Sequence, residues 1–353
     1  MKKFFLLLGC LIAALAFTLP VRTAAASAYH VVREIPMPDI EGWDYLTIDS
    51  DARRLYISNN SGIVVVDIDT LRQVGTVPQP PSFKGVGLVH GVAVATPLER
   101  GFISHEQPPS VYVFDLKTLS KVAVTATDRG TDAVVYDAFT QRVFTLNSKQ
   151  PGVHDATAID GVSGQALANI PLPGTPEFAV TDGAGSLYVN IASRNALGRI
   201  DTQALKLTKT WRLAPCKEPG GLAMDVARRR LFATCDNQIM VMVDADTGKV
   251  LSKVPTGEGT DAAAFDPATG NVFASNGEGT LTIAHEDSRD KLSLIDNIKT
   301  ASGARTMAFD TATHQVFLLA GEFSATPPPR SPENPHGYPK AKPGTVKLII
   351  VGP

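Results

Sequence analysis

His90 and His105, with Glu106 directly after the second, are the residues of this 353-residue chain best suited to holding a metal. Imidazole and carboxylate together accept several divalent ions. A wider set joins His90 at long range: Asp44, Asp132, Glu177, Glu218, Asp261 and Arg305 follow one another about 44 residues apart. Carboxylate and amide oxygens gathered at one point would instead suit Ca²⁺. No single helix or hairpin joins side chains so far apart in sequence. If they act together, a repeating fold must carry equivalent positions to one axis.

Signatures of familiar catalysis are missing. His105-Glu106 and His285-Glu286 lack the second His, four positions after the first, that a zincin helix needs. Gly-x-Ser-x-Gly elbows, phosphate-binding loops and Cys-x-x-Cys-His haem sites are absent too. Ser288 and Lys291 have Ser-x-x-Lys spacing but fall in an expected loop, where a helix would be required to align them. The sequence therefore reads as that of a non-catalytic binding or scaffold protein for a small ligand, a metal or a protein partner. The enzymatic alternative is a lactonase-like hydrolase, with a divalent metal activating water and Asp132 or Glu177 as base.

The repeat is visible in the residues themselves. Gly42-Trp43-Asp44 is followed by Leu55-Tyr56-Ile57-Ser58-Asn59, Gly130-Thr131-Asp132 by Val143-Phe144-Thr145-Leu146-Asn147, and Gly259-Thr260-Asp261 by Val272-Phe273-Ala274-Ser275-Asn276. More degenerate copies bring the starts to seven, near 42, 89, 130, 176, 219, 259 and 303. Five units end a third strand near Asp, at Asp67-Ile68-Asp69-Thr70, Asp115, Asp160, Asp201 and Asp244-Ala245-Asp246-Thr247-Gly248. Short apolar runs between Gly, Pro, Asn and Asp turns are strands joined by hairpins, and four per unit make a propeller blade. The expected fold is all-β, a seven-bladed β-propeller of four-stranded antiparallel blades. Val31 to Pro36 resembles the fourth strand Val250 to Pro255, so the N-terminal strand should complete the last blade and hide its edge.

Leu55 to Asn59, Val143 to Asn147 and Tyr188 to Asn190 resemble the strand-two signature of the YVTN-repeat, YncE-like bacterial seven-bladed propellers. That resemblance covers nearly the whole chain after its leader. It implies the propeller fold and an association with single-stranded DNA, which a positive groove with exposed aromatics would serve.

Antiparallel strands put the start of strand one and the end of strand two on one rim, here named the top. His90, His105, Glu106, Asp132, Glu177, Asp261 and Arg305 are the ligand candidates there. Asp44, Asp132 and Asp261 could equally repeat because Asp accepts turn N–H groups. His90, Glu177 and Arg305 depart from Asp at that position and are the sharper candidates. Cys216 precedes the fifth start and Cys235 ends its second strand, so a disulfide should clip the top of blade five.

Residues 1–28 read as a signal peptide cleaved near Ala28, with Lys2 and Lys3 before an apolar run, and residues 29–353 as the propeller. The mature chain keeps 30 of the 33 Lys and Arg against 35 Asp and Glu, a balance that argues against a general binder of nucleic acid. We expect a monomer without a membrane span, periplasmic or secreted. Seven prolines between 322 and 344 exclude a central strand and mark a loop in the last blade.

Overall fold

The computed structural model describes residues 28–60, 62–79, 89–128, 130–150, 152–323, 329–331 and 340–353. The expected leader therefore lies outside the described residues, apart from Ala28, and so does most of the Pro-rich segment.

Seven four-stranded antiparallel sheets form a ring. Blade one runs from strand Leu46–Asp49 to Arg72–Pro78, blade two from Val89–Ala95 to Lys121–Ala126, and blade three from Thr131–Asp137 to Ala166–Pro171. Blade four spans Pro176–Thr181 to Lys206–Arg212, blade five Pro219–Asp225 to Val250–Pro255, and blade six Thr260–Phe265 to Lys291–Lys299. Blade seven holds Met307–Asp310, Gln315–Ala320 and Lys347–Gly352, and its fourth strand is His30–Pro36, paired from His30 with Gly352 to Pro36 with Lys347. The first and last parts of the chain thus share one sheet, as the repeat predicted.

The strand-two aromatics explain why the ring closes. Tyr56, Phe102, Phe144, Tyr188, Phe232, Phe273 and Phe317 occupy one position in all seven blades, and all are buried. Alternate residues of a strand face opposite sides of its sheet. Each of these rings therefore points into the next blade, while its neighbours, such as Leu55 and Ile57, point into the previous one. The seven apolar cores of the protein are its seven blade-to-blade interfaces. This two-sided burial makes strand two a nearly unbroken apolar run. Burying a ring of this size and then truncating it costs about 3–5 kcal/mol, so every junction has a large fixed wedge.

Two hairpins per blade meet at the bottom rim in blades one to six, and most are built around Asp. After strand three, Asp67 Oδ1 accepts the N–H of Asp69 and Thr70 and the Thr70 hydroxyl, at 3.2, 2.7 and 2.8 Å, and Asp115, Asp160 and Asp244 repeat this cap. After strand one, Asp49, Asp137, Asp182, Asp225, Asp266 and Asp310 cap the other turn. The residue just before strand two is left-handed, at Arg53, Glu99, Gln141, Arg229 and His314. Arg53 and Arg229 use that bend to reach Asp310 and Asp182 of the preceding blade at 2.8 and 3.2 Å.

Cys216 and Cys235 form the expected disulfide at the top of blade five. The ends of the Pro-rich segment are tied to blade one: Ala341 donates its N–H to Glu41 O at 2.6 Å, and Phe323 packs on Trp43.

Candidate functional site

Strand one carries a bulge at the top of blades two to six. In blade two Val89 pairs with His105 and Val92 with Ile103, so three steps on one strand face two on the other, and blades three to six repeat the shift. A bulge of this kind re-aims the side chain it contains. The bulged residues are His90, Asp132, Glu177, Gly220 and Asp261, with Asp44 and Arg305 at the same level in blades one and seven. Blade five thus contributes Gly220. Glu218, expected at this position, sits earlier in an exposed turn with its N–H on Asn195 Oδ1.

Small polar residues near the end of strand two hold the bulges in place. Ser104 Oγ accepts the Gly91 N–H at 2.7 Å, Ser58 Oγ accepts that of Asp44 at 2.9 Å, and Thr234 Oγ1 accepts that of Gly221 at 2.8 Å. Several of the clamps cross to the next blade. Asn190 donates to Gly220 O, Thr234 to Asp261 O and Ser275 to Arg305 O. Gly221 permits this closeness, since a Cβ there would stand 2.2 Å from Asp261 O. These clamps fix the backbone beneath the candidate side chains.

The ring brings three of them into contact. His90 is 4% exposed, with Nδ1 2.8 Å from Asp44 Oδ2 and 3.7 Å from Asp132 Oδ1, and Nε2 3.4 Å from Glu106 Oε2. Burial acts to lower its pKa, but Asp132, Asp44 and Glu106 together outweigh burial and raise it to about 9. At neutral pH His90 is thus a cation among carboxylates. Asp261 lies on the same mouth, 3.5 Å from Arg305. Burial, aided by Asp44 and Asp132 and opposed by Arg305, lifts its pKa to about 6.

Tyr45, outside the candidates read from the sequence, extends from blade one to the core between blades three and four. Burial raises its pKa well above the ordinary range, and the charges of Asp132, Asp44, Glu177 and Asp261 act in the same direction. Its ring packs against Phe178, centroids 4.9 Å apart, and both line a channel cavity of about 160 Å³ with Thr47, Val92, Ala133 and Val135. One sequence feature could have found this pair: each aromatic directly follows a candidate acid, Asp44 or Glu177.

His105 does not join the cluster. Strand alternation turns it into an apolar cleft with Val77, Val89, Ile103 and Tyr112, where burial lowers its pKa to about 4. Glu106, one residue on, is the neighbour that turns toward His90, at 3.4 Å. The described carboxylate contacts of Asp44, Asp132 and Asp261 are with His90 and Arg305 side chains. Among the described hydrogen bonds, the turn-capping role belongs to the bottom-rim Asp residues.

No protein-family model matches the sequence, and no curated protein matches it. Solved structures do, and 1823 chains resemble it, so the architecture is too widely used to assign a role. A chain of Kuenenia stuttgartiensis hydrazine synthase aligns with a TM-score of 0.68 and 13% identity, covering 79% of this chain and 93% of that one. A chain from the crystal structure of a mitotic checkpoint complex aligns with a TM-score of 0.71 and 11% identity, covering 87% and 95%. At these identities the likeness is one of fold. The protein is a β-propeller, a class commonly used for binding and scaffolding. No helix among the described residues is long and apolar enough to cross a membrane.

Proposed function

We propose that the chain is an exported, monomeric, non-catalytic binding protein of the YVTN-repeat type whose top-face channel mouth takes a positively charged ligand. The observation that carries this reading is that Asp44, Asp132, Glu177 and Asp261, from four blades, stand at one level of strand one on the same rim, where the charges of all four act on the Tyr45 hydroxyl. Carboxylates above an aromatic pair attract a cation by charge and hold its organic part against the rings. Arg305, 60% exposed beside Asp261, would contact a ligand's acidic or polar group at the same rim. The Cys216–Cys235 disulfide supports export, because such bonds persist in oxidising compartments.

A thermal-shift screen of the mature chain tests this, using divalent metals, primary amines, lactones and single-stranded DNA. A stabilising cationic ligand should lose its effect in Glu177→Gln and weaken in Asp261→Asn. Lactone hydrolysis, or salt-sensitive DNA binding unaffected by these variants, would overturn the reading.

A further inference from the structure

One sector of the mouth is assembled more closely than the rest. One donor atom from each of Asp44, His90 and Asp132 lies within 4.8 Å of the other two, and the closest pair is 2.8 Å apart. Donors bound to one ion at about 2.0–2.2 Å stand roughly 3–3.6 Å from one another. Modest side-chain rotation would therefore bring all three onto a common ion. They come from three different blades, so no local turn accounts for their meeting.

The second ring nitrogen supplies a separate observation. A histidine that binds metal through one nitrogen keeps a proton on the other, and a carboxylate there orients the ring and raises its basicity. Glu106 occupies that place, 3.4 Å from His90 Nε2, and both residues are 4% exposed. The Ser104 clamp on Gly91 fixes the backbone beside the ring. Asp44 and Asp132 retain 28% and 24% exposure, which gives an ion a path from solvent. One imidazole with two carboxylates is a mixed nitrogen and oxygen set. It suits Zn²⁺ or Mn²⁺, whereas Ca²⁺ favours oxygen ligands alone.

We infer that Asp44, His90 and Asp132 form a site for a first-row divalent metal, Zn²⁺ or Mn²⁺, with one oxygen of each Asp and His90 Nδ1 as ligands, the ion displacing the Nδ1 proton to solvent. Glu106 is a positioning residue that acts through the His90 Nε2–H. The inference rests on the top-face reading and narrows it to one sector of the rim, leaving Glu177, Asp261 and Arg305 for the organic part of a ligand.

Titration of chelator-stripped mature protein with Zn²⁺, Mn²⁺ and Ca²⁺ by calorimetry tests the site. The expected result is one Zn²⁺ or Mn²⁺ per chain, with Ca²⁺ weaker. Affinity should fall at least ~100-fold in His90→Gln and Asp132→Asn, and ~10-fold in Glu106→Gln. It should be little changed in Asp51→Asn, which removes an exposed charge at the bottom rim. Mn²⁺-loaded wild type, which needs no variant to fold, should show one imidazole nitrogen coupled to the metal by pulsed EPR. The site is overturned if wild type binds none of these ions, prefers Ca²⁺, lacks that coupling, or loses affinity equally in Asp51→Asn. If it fails while an amine ligand is still lost in Glu177→Gln, the top-face reading stands without it.

Discussion

The two rims of this propeller use aspartate in opposite ways. At the bottom, Asp67, Asp115 and Asp160 have pKa values below the ordinary range because backbone N–H groups of their own turns, at Thr70, Thr118 and Ser163, donate to them. At the top, Asp261 is pushed up to about 6 by burial, with Asp44 and Asp132 adding to the effect. A carboxylate that accepts several N–H groups is stabilised as an anion, and one held in a desolvated group of like charges is not. Bottom-rim Asp is therefore part of the folding code. At the top, burial of Asp261 opposes its charge instead of favouring it.

Replacing Asp310 should produce the largest effect. It is fully buried and accepts from Arg53 at 2.8 and 3.0 Å and from Thr313 at 2.7 Å. Asp310→Asn should lower the unfolding free energy by about 3 kcal/mol, measured by urea denaturation at pH 7. A loss below about 1 kcal/mol would break the contrast between the rims.

Glu286 is the bottom-rim exception that sharpens the comparison. It occupies the place of Ile68, Leu116, Gly161, Thr202 and Ala245 in other blades, and each of these donates its N–H to the carbonyl of the residue before strand two, as Glu286 does to Gly270. Its carboxyl group is buried with Arg228 Nη1 3.4 Å away, and burial followed by the neighbouring Asp225 raises its pKa to about 7. That lies above the ordinary Glu value of 4.5, so this group's penalty is absent below about pH 4.5 and grows as pH rises to about 7. Glu286→Gln should stabilise the protein by about 2 kcal/mol at pH 8 and have little effect at pH 4. Equal effects at both pH values would remove the titration from the explanation.

Asp261→Asn should give the smallest change, and with the opposite sign to Asp310→Asn. The Asp261 pKa of about 6 exceeds its ordinary 3.8, so wild-type stability falls as pH rises between these values. The variant should gain up to about 1 kcal/mol at pH 8, discounted for partial exposure and the lost Arg305 pair. Destabilisation comparable to that of Asp310→Asn would show that top-rim Asp is structural as well.

Much of the fold was legible in advance because its causes are local and repeated. A strand buried on both sides must be apolar throughout, and the strand-two aromatic recurs because each blade needs the same wedge. The Asp-x-x-Thr turn recurs because its side chain caps its own backbone. The mouth was legible only as a set of levels. His105 lies near His90, as expected, but strand alternation turns it into the cleft between blades one and two instead of the mouth. Glu218 was expected at the mouth, but the bulge puts Gly220 there instead. Tyr45 carried no motif, and its surroundings come from four blades.

By itself the sequence determined the blades, the closing strand and the disulfide partners, since each depends on local pattern or on matching one repeat to another. Tertiary structure decided which side chains meet. Asp44 and His90 are 46 residues apart, and their 2.8 Å contact depends on bulge geometry and the curvature of the closed ring. Neither is written in any single stretch of chain.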